Sequence, residues 1–318
     1  MNKTAKVFSP ATIGNIGPGF DVLGLAVKGL GDIVEARKIS DGVVIESIEN
    51  ADHEISMKAA ENTAGIAARE VLNILCEKEG VALKIIKGLP AGSGLGSSAA
   101  SAAAAAHAVN LLFGKRLSKS ELILPATLAE EYVSGGFFAD NVAPALLGGA
   151  TLTRSTVPLD VTRLGTISRL IIVLVIPKIQ ILTRKAREIL PDRVNMDGFV
   201  ANMANACLIA SAFSKNSYGL FSRSLKDIVI EPVRSKLISG FDDVKRKALE
   251  AGADGMTISG AGPALFAITN SQRKAPVIEH AMVTTFREHG VACDSVITSP
   301  SAKGTVEVTS DDFDFFDH

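Results

Sequence analysis

The sequence predicts an α+β protein of two domains. Its 318 residues are 47% hydrophobic, enough chain for two cores of ordinary domain size. The first half alternates short β-branched runs with glycine turns and helix-like segments, and the second half alternates strands with longer helices. Between the halves, residues 155–166 lose periodicity where Pro158 and Gly165 interrupt a charged stretch. The division is therefore placed near residue 155, giving domains 1–155 and 156–318.

The elements follow in order. Residues 6–8, 33–39, 43–48 and 82–86 have the β-branched character of strands. Residues 62–77 set Ile66, Val71, Leu72 and Leu75 at helical spacing. A Gly/Ser loop at 88–98 then runs into the alanine-rich segment 99–112, a strong helix former that ends before Gly114. Ser118 and Glu121 form a capping-box pair for the next helix, which Pro125 is expected to kink before Glu130. A second glycine-containing loop carries Gly135-Gly136, Asp140-Asn141 and Pro144 and closes at Gly148-Gly149, ahead of a strand at 150–153. The second half reads as strand 170–176, helix 183–190, a long apolar helix 199–213 and helix 237–251. Strand 255–259, the loop Gly260-Ala-Gly-Pro263, strand 264–268, helix 275–288 and strand 295–298 complete an α+β sandwich. The acidic tail 310–318 is expected to fray.

Composition narrows the function. Lys plus Arg is 33 against 34 for Asp plus Glu, so no basic excess exists to neutralise nucleic-acid phosphates. Aromatics are 5%, with no Trp and two Tyr, which removes most stacking residues and favours a small polar ligand. Cys76, Cys207 and Cys293 show no metal or redox spacing and are read as buried thiols of a reduced, cytoplasmic protein. Residues 1–9 lack a signal-type apolar run, and the most apolar stretch, 170–176, is far short of the roughly twenty residues a bilayer needs. No export and no membrane are expected.

The strongest local signal is Pro90-Ala-Gly92-Ser93-Gly94-Leu95-Gly96-Ser97-Ser98 before the alanine helix. Alternating glycines allow positive φ and close backbone approach, so successive N–H groups can face an anion, and the helix dipole adds to them. Ser97 and Ser98 offer hydroxyls to a phosphate or a magnesium ion. The loop is not of the Walker type, because no Lys follows its last glycine.

This loop resembles the phosphate loop of the galactokinase, homoserine kinase, mevalonate kinase and phosphomevalonate kinase (GHMP) superfamily. Two further motifs of that superfamily stand in the right order, Ser9-Pro-Ala-Thr-Ile-Gly-Asn15-Ile-Gly17-Pro-Gly19-Phe-Asp21 and Ser259-Gly260-Ala-Gly262-Pro263. Within the superfamily the chain is most similar to the homoserine kinases, through Gly19-Phe-Asp-Val-Leu-Gly24, Ala139-Asp-Asn-Val-Ala-Pro-Ala-Leu-Leu-Gly-Gly149, Thr183-Arg-Lys-Ala-Arg187 and Glu231-Pro-Val-Arg234. The resemblance implies the two-domain GHMP kinase fold, an N-terminal domain like ribosomal protein S5 domain 2 and a C-terminal ferredoxin-like sandwich. It implies phosphorylation of L-homoserine to O-phospho-L-homoserine in threonine biosynthesis, with ATP and Mg2+, and leaves a homodimer open.

The resemblance also assigns residues. Nucleotide contacts fall to Asn62 and to the loop from Pro90 through Gly92, Ser93, Gly94, Leu95, Gly96, Ser97 and Ser98. Magnesium falls to Ser98 and Glu130, although the neighbouring Glu131 has the same chemistry. Homoserine is a zwitterion with a primary alcohol. Arg187 and Arg234 suit its carboxylate, Asp21 its ammonium, and Asn15 and Asn141 its polar groups. Asp140 beside Asn141 is placed at the reacting hydroxyl, either as its base or as a residue that fixes the loop or metal shell. One departure stands out: homoserine kinases commonly carry His two residues before the Asp-Asn pair, and this chain has Phe138. A neighbour then supplies the lost contact, or affinity falls, or the acceptor differs. His53, His107, His280, His289 and His318 show no ligand spacing and are read as surface or packing residues.

Three other readings compete on sequence. A superfamily kinase for another small alcohol is kept open by Phe138, whereas the arginine pair favours a carboxylate-bearing acceptor. A non-catalytic binder would be free to lose Ser98, Glu130 and the glycine loop, which this chain retains. A dinucleotide-dependent dehydrogenase lacks its Gly-x-Gly-x-x-Gly fingerprint here.

Overall fold

The computed structural model describes residues 3–181 and 183–308. The tail read as frayed lies outside them. β1 (Thr4–Gly14) pairs antiparallel with β2 (Leu23–Ile39). β3 (Val43–Glu49), α1 (Thr63–Leu75) and β4 (Gly80–Ile86) form a parallel strand pair with a helical crossover, and β4 joins β2. α2 (Ser97–Leu112), α3 (Ile123–Ser134) and α4 (Val142–Leu147) precede the strands β5 (Ala150–Thr156) and β6 (Leu159–Gly165). The chain then enters a second sheet at β7 (Ile171–Pro177), followed by α5 (Thr183–Glu188), α6 (Met196–Ser214), α7 (Tyr218–Ser222), α8 (Glu231–Arg234) and α9 (Phe241–Glu250). β8 (Gly255–Ile258), β9 (Leu265–Thr269), α10 (Ala275–Glu288) and β10 (Cys293–Thr298) complete that sheet, and β11 (Val306–Glu307) returns to the first.

The first sheet runs β11-β1-β2-β4-β3, with β5 on β2 and β6 on β5; the second is antiparallel in the order β10-β7-β9-β8. β7 shows why an unbroken apolar run can be a strand. Alternation sends Ile172 and Leu174 into the core shared with β1, β2 and α6, and Ile171, Val173 and Val175 into the core under α9 and α10. Both faces are buried, so neither face of the run is polar.

α2 is alanine-rich for a packing reason. It lies against β1, β2, α1 and α3, and its alanines from Ala99 to Ala108 are fully buried. Small side chains let backbones approach from several sides, and alanine costs least in helix propensity. Ser118 and Glu121 form the expected capping box: the Ser118 N–H and hydroxyl donate to the Glu121 carboxylate, and the Glu121 N–H donates back at 3.3 Å. Pro125 falls in the first turn of α3, where a missing N–H is tolerated.

Three expectations are corrected. The stretch 155–166 is not loose: β5 and β6 pair as a hairpin turned by Val157-Pro158, and the passage to the second sheet lies between Gly165 and Ile171. Pro158 and Gly165 sit at the turn and at the strand end, where neither residue disrupts a ladder. β1 and β2 are far longer than 6–8 and 33–39, because Pro10 sits at a register shift in the ladder. The cysteines are not buried: Cys76 and Cys207 are exposed and Cys293 is intermediate. Among the described residues α6 is the one helix long and apolar enough to cross a membrane; Ile209, Ala212 and Phe213 bury one side while Met196, Phe199 and Met203 are exposed.

His107 sits buried in the middle of α2, with Lys119 and Lys115 nearby. Burial first, then those charges, push its imidazole down to about 4. The unfolded chain takes up this proton near the ordinary 6.5, so the folded state loses stability as pH falls from about 6.5 to about 4. The loss from this one group is at most about 3 kcal/mol. His107→Leu should flatten the decline of the urea midpoint over that window; an unchanged acid limb would show that other groups govern it.

Candidate active site

Three glycine-bearing segments meet at one cavity of about 390 Å³. The loop after β4 is tied to the second sheet by Ser259, whose hydroxyl donates to the Gly94 carbonyl at 2.6 Å, and by the Ala264 N–H, which donates to the Ser93 carbonyl at 2.9 Å. It is tied to β1 by the Thr12 N–H on the Leu95 carbonyl at 3.0 Å. Gly96 caps α2 at φ 66° with no side chain over the first turn, so the helix end presents free N–H groups. A Cβ on Gly96 would stand 2.1 Å from the Thr12 hydroxyl, so this glycine clears space for a Thr12–Asn141 contact as well as for a ligand.

Beneath the loop lies a buried ion pair that was not anticipated. Lys87 donates to the Asp32 carboxylate, to the Ser97 carbonyl at 3.1 Å and to the Ser101 hydroxyl at 2.9 Å. Asp32 also accepts from the Gly88 and Leu89 N–H groups, at 3.0 and 3.2 Å, so it pins the start of the loop. The available signal was an Asp immediately before the strand run 33–39 and a Lys immediately after the run 82–86.

Three carboxylates line the cavity, Asp21, Glu130 and Asp140, and burial raises the last two. Glu130 is raised by burial, while the Ser98 hydroxyl bonded to it and the Lys87 charge hold it down. Glu131 is exposed, away from the cavity. Burial, with Asp21 and Glu130 close by, pushes Asp140 up to about 7 against the pull of Arg187. Asn141 is fixed beside it: its Oδ1 accepts from Thr12 at 2.9 Å, and its Nδ2 donates to Asp140 at 3.3 Å. Gly24 lets the chain pass here, since a Cβ on it would lie 1.6 Å from the Asp140 carbonyl oxygen.

Two arginines close the other end. Asp227 accepts from the Val229, Ile230 and Glu231 N–H groups at 2.9, 2.9 and 3.0 Å and so anchors α8, which presents Arg234. Arg234 is only 3% exposed and donates to the carbonyls of Ala186 and Gly260, at 3.2 and 2.9 Å. No carboxylate among the described residues pairs with it. Burial and then Arg187 lower it to about 10, which leaves it charged at neutral pH. Arg187 instead grips Asp21, Nη1 to Oδ2 at 3.0 Å and Nη2 to Oδ1 at 2.7 Å. Asp21, Asn15 and Ile16 all have positive φ in the loop between β1 and β2. Asn15 holds that loop by donating to the Gly260 carbonyl and accepting from the Asp21 N–H, both at 3.0 Å.

Most of the expected residues therefore line one cavity: Asn15, Asp21, Gly92, Ser93, Gly94, Gly96, Ser97, Ser98, Glu130, Asp140, Asn141, Arg187 and Arg234. Asn62, Pro90 and Leu95 do not. The Asn62 side chain is spent capping α1, accepting from the Ala64 N–H at 2.9 Å. The Pro90 carbonyl accepts from Ser93, and Leu95 is fully buried. Ser93 and Ser97 donate to loop carbonyls, which leaves Ser98 as the hydroxyl on Glu130. His53, read as a surface residue, lines the rim with Gln180 and Arg184.

The GHMP kinases N terminal domain family matches residues 60–149, and the GHMP kinases C terminal family matches residues 209–288. The chain is 42% identical to homoserine kinase of Methanococcus maripaludis over 85% of this chain and 89% of that protein. To homoserine kinase of Arabidopsis thaliana it is 43% identical over 90% and 80%. The chain belongs to the homoserine kinase family. The crystal structure of homoserine kinase from Cytophaga hutchinsonii superposes with a TM-score of 0.92 at 39% identity, covering 97% of this chain and 98% of that one. The chain is accordingly a GHMP-type kinase with ATP as its phosphoryl donor, and its βαββαβ second sheet is the C-terminal half of that fold.

Proposed function

We propose that this chain transfers the γ-phosphoryl group of ATP to the side-chain hydroxyl of L-homoserine, giving ADP and O-phospho-L-homoserine for threonine biosynthesis. The observation that carries the reading is Arg234, a buried cation whose side-chain hydrogen bonds among the described residues go to carbonyls, on the same cavity as the glycine loop and a carboxylate pushed up to about 7. Such a cation calls for an anionic acceptor. The acceptor carboxylate goes to Arg234 and Arg187, its ammonium to Asp21, and its hydroxyl to Asp140 and Asn141. The hydroxyl oxygen forms a bond to the γ-phosphorus as the bond to the β-bridging oxygen breaks, Asp140 takes the hydroxyl proton, and ADP leaves. A cytoplasmic setting suits the three free cysteines.

The donor set fits magnesium: one carboxylate and one hydroxyl, both hard oxygens, stand together in Glu130 and Ser98. No group of three or more His, Cys, Asp or Glu among the described residues forms a metal cage, so phosphates and water would complete the sphere. When bound, Mg2+ neutralises phosphate charge as it builds in the transition state.

A panel of homoserine, mevalonate, galactose and shikimate with Mg-ATP, scored by ADP release, tests the reading. Homoserine should be turned over far faster than the others, and preference for another alcohol would overturn the acceptor. In the same assay Glu130→Gln should lower turnover sharply and raise the magnesium requirement. Damage from Glu131→Gln instead would move the metal site by one residue.

A further inference from the structure

We infer that Phe138 is a positioning residue for the acceptor's carboxylate, holding the Arg187 guanidinium by its face while Asp21 holds it by its edge. The inference rests on the proposed acceptor. The guanidinium carbon stands 3.6 Å from the centre of the Phe138 ring, well inside the range of a cation–π contact. The ring fixes the tilt of the guanidinium plane, and the two hydrogen bonds to Asp21, at 3.0 and 2.7 Å, fix rotation within it. Asp21 takes one N–H from each Nη, and Nε is buried without a hydrogen-bond partner among the described residues, so Nε and the second N–H of each Nη are not engaged by Asp21.

The ring has its own support. A Cβ built on Gly136 would lie 2.3 Å from Cε2 and 2.4 Å from Cζ of Phe138, so only a glycine there lets the ring lie where it meets Arg187. Gly136 is not at positive φ, and a methyl group on it would act chiefly by displacing the ring. Where the homoserine kinase pattern has an imidazole, this chain thus has an aromatic face that neither donates a hydrogen bond nor titrates. Its contribution is the orientation of Arg187.

Steady-state kinetics with varied L-homoserine and Mg-ATP test this. Phe138→Leu keeps the bulk but loses the π face, and should raise KM for homoserine roughly 3- to 30-fold, with KM for ATP unchanged. Phe138→Tyr should recover most of that loss. Gly136→Ala should raise the same KM and add nothing further in a Phe138→Leu background, because its effect runs through the ring. In Phe138→His, KM for homoserine relative to wild type should climb as pH falls below about 6.5, where an imidazolium would repel Arg187. Unchanged homoserine KM in Phe138→Leu, equal rises for both substrates, or additive effects of Gly136→Ala and Phe138→Leu would overturn the inference and leave the acceptor standing. A wild-type enzyme that does not phosphorylate homoserine would remove the acceptor itself, and the inference with it.

Discussion

Asp140→Asn is expected to lower turnover roughly 10²- to 10⁴-fold, the range for loss of a positioned general base. The structure makes this a demanding test, because the substitution keeps the shape of the side chain and its contact with Asn141. Burial and the carboxylates of Asp21 and Glu130 hold Asp140 near 7, where a base has both a useful unprotonated fraction and real proton affinity. A base acts in its deprotonated form, so with Asp140 in that role kcat/KM of the wild type should rise with pH through about 7 and level off above it. The variant should lose that limb. A loss below tenfold, with the limb intact, would show that Asp140 only orders the loop and that catalysis rests on positioning and charge neutralisation.

Arg234→Leu is expected to raise KM for homoserine by roughly 30-fold to several-thousand-fold, as when one partner of a buried charge pair is removed. The variant should fold, since no carboxylate among the described residues forms an ion pair with Arg234 and an apolar side chain takes its buried place. Arg187→Leu is a less direct probe, because it also strands Asp21. KM for ATP should move little in either. L-Threonine carries the same carboxylate and ammonium on a shorter hydroxyl arm, so it should compete with homoserine and lose its grip in Arg234→Leu. Equal rises in both Michaelis constants, or threonine inhibition that survives the substitution, would put the acceptor carboxylate elsewhere.

The candidate site was legible in sequence wherever its chemistry follows from a local pattern. Alternating glycines before an alanine helix can be read as an anion cradle without a fold, since positive φ and free N–H groups are properties of a few consecutive residues. Glu130 could be set in register with Asp140-Asn141, and the structure separates it from Glu131 by burial, by its place in the cavity lining and by the Ser98 hydroxyl. Asn62 lies outside the cavity lining, and its side chain caps α1 through the Ala64 N–H, a role that an asparagine before a helix also offers.

By itself the sequence determined the class of fold and the family and, through the family's motifs, named most residues that line the cavity, because these depend on periodicity, turn chemistry and motifs within short windows. Only the tertiary structure decided the relations between distant segments. It closed the loose stretch at 155–166 into a hairpin, buried Lys87 with Asp32 from 55 residues away, and paired Arg187 with Asp21 across 166 residues. It also gave Phe138 a partner, the guanidinium stacked at 3.6 Å. Charge state follows the same rule. Asp140 stands near 7 and Arg234 near 10 because water is excluded and like charges are gathered from segments distant in sequence, and desolvation is a property of the packed whole that no short window contains.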